Sequence, residues 1–460
     1  MFDSNQVLAS APSNAHVIAA TSFGFALVQL DVTIINVALP NIAGSLHTDT
    51  AGLQWVVDAY ALTFAALLLS FGALADRIGG KRVYRAGLTG FGLTSLACGL
   101  ATDATMLSLL RALQGVAAAA LLPSSLALLN RATAHDPRLR ARAVAIWTAA
   151  GGVTIAAGPI VSGFLLALST WRSIFLVNVP LCWCGAWLVS KLGAEPAAQG
   201  GKLDSVGQLL AIVALGSLTA SVIEARPLGS THPLVIGGFV LALLAGGLFV
   251  VVEASSSAPM LPLTLFRSTC FSAAVVYGMI ANATYYGIVF VISLYLQRVH
   301  HYGALRTGLA YLPLTASILF ANLGSGWLMG KLGTRWPMLL GALVNATGFL
   351  LLSQLTAAST YWQMLPAFVL IPLGLGTGVP AMTTSVLASV DKSRAGSASG
   401  VLNAARQAAG AMGVAVLGAL SGDQPAQIVS GLTHGATLCS ALLLVAAALA
   451  WRGLRPLSTA

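Results

Sequence analysis

Apolar runs of about twenty residues, the length that carries a helix across a bilayer's hydrocarbon core, recur from one end of this chain to the other. They fall near 16–38, 53–75, 83–102, 105–129, 143–168, 174–191, 206–224, 233–253, 269–296, 307–329, 337–356, 361–386, 396–420 and 430–451, fourteen in all. Each is closed by charge, proline or glycine, as membrane helices are. Of 460 residues, 57% are hydrophobic and 8% charged, which is too little charge to cover a water-soluble surface. Soluble globular folds, disordered chains and disulfide scaffolds are excluded together. The first run contains Asp31 and lacks both a basic lead-in and a small-residue cleavage site, so it reads as a span and not as a signal peptide. The five cysteines all lie in apolar runs and read as packing residues.

The net charge of +10 is carried by loops. With the N-terminus inside, seventeen of the 23 basic residues fall on inner loops, four on outer loops, and Arg111 and Arg406 within spans. That skew places both termini in the cytoplasm. It attributes the basic balance to anionic lipid surfaces, with no nucleic-acid partner.

An internal repeat organises the spans. Gly72-x-Leu74-x-Asp76-Arg77-x-Gly79-x-Lys81 returns as Gly326-x-Leu328-x-Gly330-Lys331-x-Gly333-x-Arg335, 254 residues later. Arg142-Ala143 with Gly158 returns as Arg394-Ala395 with Gly410, offset by 252. Two segments with nearly one offset imply two six-helix halves in the same orientation, with a cavity between them. The expected all-α membrane architecture is a cytoplasmic segment 1–15, a six-helix bundle 16–191, a linker 192–268 with two extra helices, a second bundle 269–451 and a tail 452–460.

Asp31 and Asp58 are the acidic residues well inside spans. Insertion scales put such a group about 2.5–3.5 kcal/mol uphill, so it faces a cavity or a partner and marks an ion or substrate path. Desolvation penalises the charged carboxylate, which suits a group that takes up and releases protons. The alternative for Asp31 is a structural pair or helix cap, and for Asp58 a wet position near the span's outer end. Arg111 is a permanent charge that must point inward, where Asp31 is an available counter-charge. Arg406 either snorkels to the cytoplasm or faces the interior. Tyr286 and Asn282, beside Tyr285, are candidate pocket residues, although a Tyr near a span end is commonly an interface anchor. Gly72, Asp76, Arg77, Gly79, Lys81 and Arg82 form a compact basic loop in which Asp76 sits where it can latch onto a neighbouring helix N-terminus or an arginine.

This loop resembles the signature loop between the second and third spans of the major facilitator superfamily. Leu107-x3-Arg111-x2-Gln114-Gly115 is similar to the fourth-span motif of its proton-coupled members. Gly152 through Gly158-Pro159-x2-Ser162-Gly163 resembles the fifth-span antiporter motif, with Ala156 and Ser162 standing where glycine is usual. Leu30-Asp31-Val32-Thr33-Ile34-Ile35-Asn36-Val37-Ala38-Leu39-Pro40 resembles the first span of the fourteen-span drug/proton antiporter branch, and Trp171-Arg172, Asp204-x2-Gly207 and Arg394-Ala395-Gly396 match it elsewhere. The resemblance implies a proton-coupled exporter of lipophilic, cationic drugs. Asp31, Arg111 and Asp58 would couple protons, and Asp58, Asn36, Gln114, Asn282 and Tyr286 would line the substrate cavity. It further implies a monomer in a bacterial inner membrane whose partners are lipophilic small molecules, protons and lipids. Export of one endogenous metabolite or antibiotic is the alternative on the same fold.

No cofactor or metal is expected. Gly374-x-Gly376-x-Gly378 lies in a span and follows no strand, His300-His301 lacks metal spacing, and no Walker loop is present. Enzyme chemistry has no support in this sequence.

Overall fold

The computed structural model describes residues 14–193, 204–256, 259–391 and 394–454, without the side chains at 137, 138 and 141. The expected cytoplasmic residues Lys202, Lys392 and Arg455, most of the N-terminal segment and most of the tail lie outside them. The described residues form helices α1 (Asn14–Leu46), α2 (Thr50–Ile78), α3 (Gly80–Gly99), α4 (Ala104–Ala132), α5 (Pro137–Leu168), α6 (Ser173–Leu176), α7 (Asn178–Ser190), α8 (Ser205–Glu224) and α9 (Pro233–Ser255). They continue with α10 (Thr269–Leu294), α11 (Ala304–Ala310), α12 (Leu312–Leu332), α13 (Arg335–Leu352), α14 (Tyr361–Ala388), α15 (Ala395–Leu420) and α16 (Pro425–Gly453).

Local chemistry sets the ends. Asp49, Asp103 and Asp204 cap α2, α4 and α8, accepting from the backbone N–H of Gly52, Met106 and Gly207 at 2.9, 2.8 and 2.8 Å. The basic loop turns at Gly79 (φ 100°) and its repeat turns at Gly333 (φ 72°), a left-handed region that favours glycine. The same position of each repeat therefore makes the same backbone turn.

Twelve segments among the described residues are long and apolar enough to cross a membrane. The expected spans 83–102 and 396–420 are helices, α3 and α15, but are not among the twelve. The physical reason is composition: α3 opens on Lys81, Arg82 and Arg85, and α15 is built of Ala, Gly and Ser around Asn403, Arg406 and Gln407. Two expected spans are also interrupted. The sixth breaks into α6 and α7, and the tenth into α11 and α12 ahead of Pro313.

The repeat governs packing. In the first half α1 packs on α5, α2 on α4, α3 on α4 and α3 on α7, and the second half answers with α10 on α15, α12 on α14, α13 on α14 and α13 on α16. The extra pair α8 and α9 pack on each other, and α8 lies along both α2 and α15. Its polar anchors reach both halves. Trp55 Nε1 donates to Glu224 at 2.8 Å and Gln208 to the Ala66 carbonyl at 2.9 Å, while Arg226 donates to the carbonyls of Ala419 (3.0 Å) and Ser421.

At the end opposite the basic loop the halves meet directly. Gln54 donates to the Val414 and Ala415 carbonyls at 3.2 and 2.7 Å, and Gln297 to the Val37 carbonyl at 2.9 Å. Asp423 accepts from the Thr50 hydroxyl at 2.7 Å and from Arg298 at 3.2 Å. This end of the molecule is closed. Partial burial pushes the Asp423 carboxyl up, but the bonds from Thr50 and Arg298 outweigh it and hold the group below the usual carboxylate range.

Glycines set the closest approaches. A methyl group on Gly413 of α15 would overlap the Ala283 carbonyl of α10, whereas at Gly324 nothing lies within 4 Å. Gly413→Val should therefore cost about 1–3 kcal/mol by overpacking, and Gly324→Val close to nothing. Thermal melting of the purified variants checks this: the Gly413 variant melts lower and the Gly324 variant matches wild type.

Candidate functional site

Five helices converge on one buried ion pair. Asp31 on α1 and Arg111 on α4 are each 1% exposed, with Nη1 2.6 Å from Asp31 Oδ2. The remaining valences are filled by amides and rings. Arg111 Nε donates to the Val56 carbonyl of α2 at 3.2 Å, and Nη1 to Gln114 Oε1 at 2.8 Å. Its guanidinium lies 4.2 Å from the centroid of the Tyr60 ring. Asp31 Oδ1 accepts from Gln114 Nε2 at 3.0 Å and from Asn178 Nδ2 of α7 at 2.8 Å. Ser95 of α3 accepts from the same two amides at 2.6 and 3.1 Å.

Geometry of this kind is what makes a buried pair tolerable, because each charge is offset by its partner and by hydrogen bonds. Asp31 and Arg111 are thus together, as the sequence suggests. Gln114, expected in the substrate cavity, is sealed inside this network at 0% exposure. Tyr60, Ser95 and Asn178 were not singled out as site residues from sequence. A Tyr, Ser or Asn in a span carries no pattern that names its partner across some 80–150 residues.

Asp58 is handled in the opposite way. It is 0% exposed, and neither carboxylate oxygen has a hydrogen-bond partner among the described residues. Gln54, one turn earlier on α2, bonds α15, so the i, i+4 spacing places Asp58 on the face toward the seam between the halves. It is not wet, as one sequence reading allowed.

Between the halves a small cavity is lined by Thr33, Asn36, Pro159, Tyr286, Tyr311 and Thr315, among others. Asn36 and Tyr286, both expected there, share it. Tyr285 and Tyr286 meet edge to face with ring centroids 5.5 Å apart. Asn282 instead accepts from Arg406 Nε at 3.1 Å, so Arg406 faces α10 and does not snorkel to a surface. A larger cavity of about 530 Å³ lies on the flank between α2, α4 and α8, and none of the sequence-predicted residues lines it.

The motif residues divide between packing and surface. Gly158 abuts α1, where an added Cβ would meet the Ile34 nitrogen at 3.1 Å, and Gly163 abuts Ala304 of α11, where the distance to its carbonyl oxygen would be 2.9 Å. Gly152 faces open space, and an added Cβ at Gly72 would meet Pro123 of α4 at 3.6 Å. Asp76, 72% exposed, lies 3.9 Å from Arg131 at the end of α4, an exposed pair of the kind worth about 0–1 kcal/mol. Arg77 and Arg82 are exposed, and Lys81 binds the Leu192 carbonyl. In the second copy Gly330 removes the acidic partner, and Lys331 lies over the Trp327 ring at 4.1 Å. No cluster of metal-ligating residues occurs among the described residues.

Removing one member of the buried pair leaves the other charge uncompensated, so Asp31→Ala should destabilise the protein by about 3–5 kcal/mol. The double variant Asp31→Asn/Arg111→Gln should lose less than the sum of the two single changes. Thermal or denaturant unfolding of the four proteins provides the cycle, and strict additivity would show that the pair is not coupled.

Comparison with known proteins identifies the family. The model of the family described as Major Facilitator Superfamily matches residues 21–414. The chain is 35% identical over 405 residues to the methylenomycin A resistance protein of Bacillus subtilis, covering 88% of this chain and 87% of that one. It is 37% identical to the multidrug resistance protein Stp of Mycobacterium tuberculosis (87% and 74% covered), and 33% identical to the tetracenomycin C resistance and export protein of Streptomyces glaucescens (87% and 74%). Among solved structures, a bacterial homolog of the human lysosomal transporter Spinster, inward-facing and unoccupied, superposes with a TM-score of 0.66 at 17% identity, covering 96% of this chain and 97% of that one. A point mutant of the nucleoside transporter NupG also gives 0.66, at 13% identity, covering 96% and 100%. These two share the fold.

Proposed function

The chain belongs to the Major Facilitator Superfamily, as a multi-pass membrane transporter and not an enzyme, and from that premise we propose that it is a proton-coupled antiporter exporting lipophilic drugs from a bacterial cytoplasm. Its relatives are named as antibiotic and multidrug resistance proteins, among them an export protein and a drug efflux pump, which supports the drug class. In this reading α3 and α15 also cross the membrane, giving fourteen spans with both termini inside. The closed end then faces outward, and the protein works as a monomer in the inner membrane without a soluble cofactor.

The observation that carries proton coupling is the contrast between two carboxyls in one chain. Asp31 is held by a counter-charge and two amides, whereas Asp58 is sealed at the seam between α2 and α15 with nothing to hold it. Closing the outer seam strips water from Asp58 and offers it no partner, and opening returns the water. A proton taken up and released with that cycle couples the gradient to alternating access. Asp31 and Arg111 are the second coupling element: protonation of Asp31 would free Arg111 inside the first half and loosen α1 from α4. When ionised and open to the cavity, Asp58 favours a cationic cargo, with Asn36 on its own half and Tyr286 on the opposing one.

A second reading has support of its own. Relatives named for resistance to single antibiotics, methylenomycin A and tetracenomycin C, make a dedicated exporter of one compound the alternative. Efflux of a lipophilic cation from proteoliposomes under an imposed pH gradient separates these. Wild type should move the cation, and Asp31→Asn and Asp58→Asn should each lose its gradient-driven flux. Undiminished flux in both variants would remove proton coupling from these carboxyls, and a wild type inert toward several cations would favour the dedicated exporter.

A further inference from the structure

Arg406 is a second permanent charge within a span, and it lacks everything that makes Arg111 tolerable. Among the described residues no carboxylate lies within 4 Å of it, and its one hydrogen bond runs from Nε to Asn282 at 3.1 Å. Its two terminal nitrogens make no hydrogen bond among the described residues, and the side chain is only partly buried. A guanidinium left this way is expensive at membrane depth unless something outside the protein answers it.

The surroundings are shaped to hold the side chain in place. Gly278, Asn282 and Tyr286 follow one another at four-residue intervals on one face of α10. Gly278 makes room for the arginine stem, because a Cβ there would sit 3.2 Å from Arg406 Cγ and 3.3 Å from Cδ. Asn282 fixes the guanidinium through Nε, which leaves the four donors of the terminal nitrogens in a planar fork. Tyr286 stands next along the face, interacts with Arg406, and also lines the cavity between the halves.

We propose that Arg406, steadied by Asn282 and bordered by Tyr286, is a binding site for an oxyanion on the exported compound: a carboxylate, enolate or phenolate. A planar fork matches a carboxylate through two parallel hydrogen bonds, a geometry that an ammonium does not reproduce. The inference rests on the export reading and sharpens it. With Asp58 on the opposing half, the favoured cargo is amphoteric, with a cationic end and an acidic end.

Rhodamine 110, which carries a free carboxylate, and its methyl ester rhodamine 123 are a matched pair of probes. Their binding to the purified full-length protein is read by fluorescence anisotropy. Wild type should bind the acid more tightly than the ester. Arg406→Gln should weaken the acid about tenfold, the loss expected for a charge-assisted hydrogen bond, while the ester stays within about twofold. Arg406→Lys, which keeps the charge and loses the fork, should fall between and guards against a folding defect in the glutamine variant. Equal effects on both dyes, no effect on either, or no preference for the acid in wild type overturns the site. Selective binding of the acid with no gradient-driven flux of either dye would instead sink the export reading and leave the site standing.

Discussion

An apolar bundle in lipid tolerates a full charge only when something nearby answers it, and the way each ionisable group is answered organises this molecule. Asp31 and Arg111 answer one another inside the first half. Because their remaining valences are filled by residues of α2, α3, α4 and α7, the pair also fastens these helices around α1. Breaking such a pair is costly, and replacing it whole is not, so its presence in a chain this poor in charge points to use beyond stability. Asp58 and Arg406 are left unanswered, one on each side of the seam, and that is where cargo and protons would supply what the protein withholds.

The closed end explains how a structure with unpaired groups in its middle is held in one arrangement. Thr50, Asp423 and Arg298 join three segments there, and Gln54 ties α2 to α15 through main-chain carbonyls. The extra pair of helices adds to this closure, because Glu224 reaches Trp55 of the first half while Arg226 reaches the end of α15 in the second. All of these are polar contacts at one end, made beside an apolar core that α1 and α2 share with α10, α15 and α16.

Much of this was legible in the sequence, for identifiable reasons. Run length gave the helices, and the repeat seen in the sequence reappears in the positive-φ turns at Gly79 and Gly333. Asp31 and Arg111 were readable as partners because few charges occur within spans. The partners that cross from one half to the other were not readable. Gln54 reaches α15 across 360 residues, and a glutamine in a span looks the same whether it bonds a carbonyl or lines a pore. Gln114 illustrates the converse error, since the resemblance that put it in the cavity does not tell a cavity wall from the sealed network it joins. Small and charged residues lower the apolar average of α3 and α15, which sets them apart from the other expected spans.

Proton release on drug binding tests the central claim most directly. If Asp58 exchanges a proton for cargo, adding a lipophilic cation to purified protein in weakly buffered detergent solution should release about one proton per bound drug, by linkage between the two sites. The release should vanish in Asp58→Asn while binding remains measurable. Saturable binding to the wild type with no change in solution pH would contradict the account, because cargo and proton would then not compete for the same closed seam.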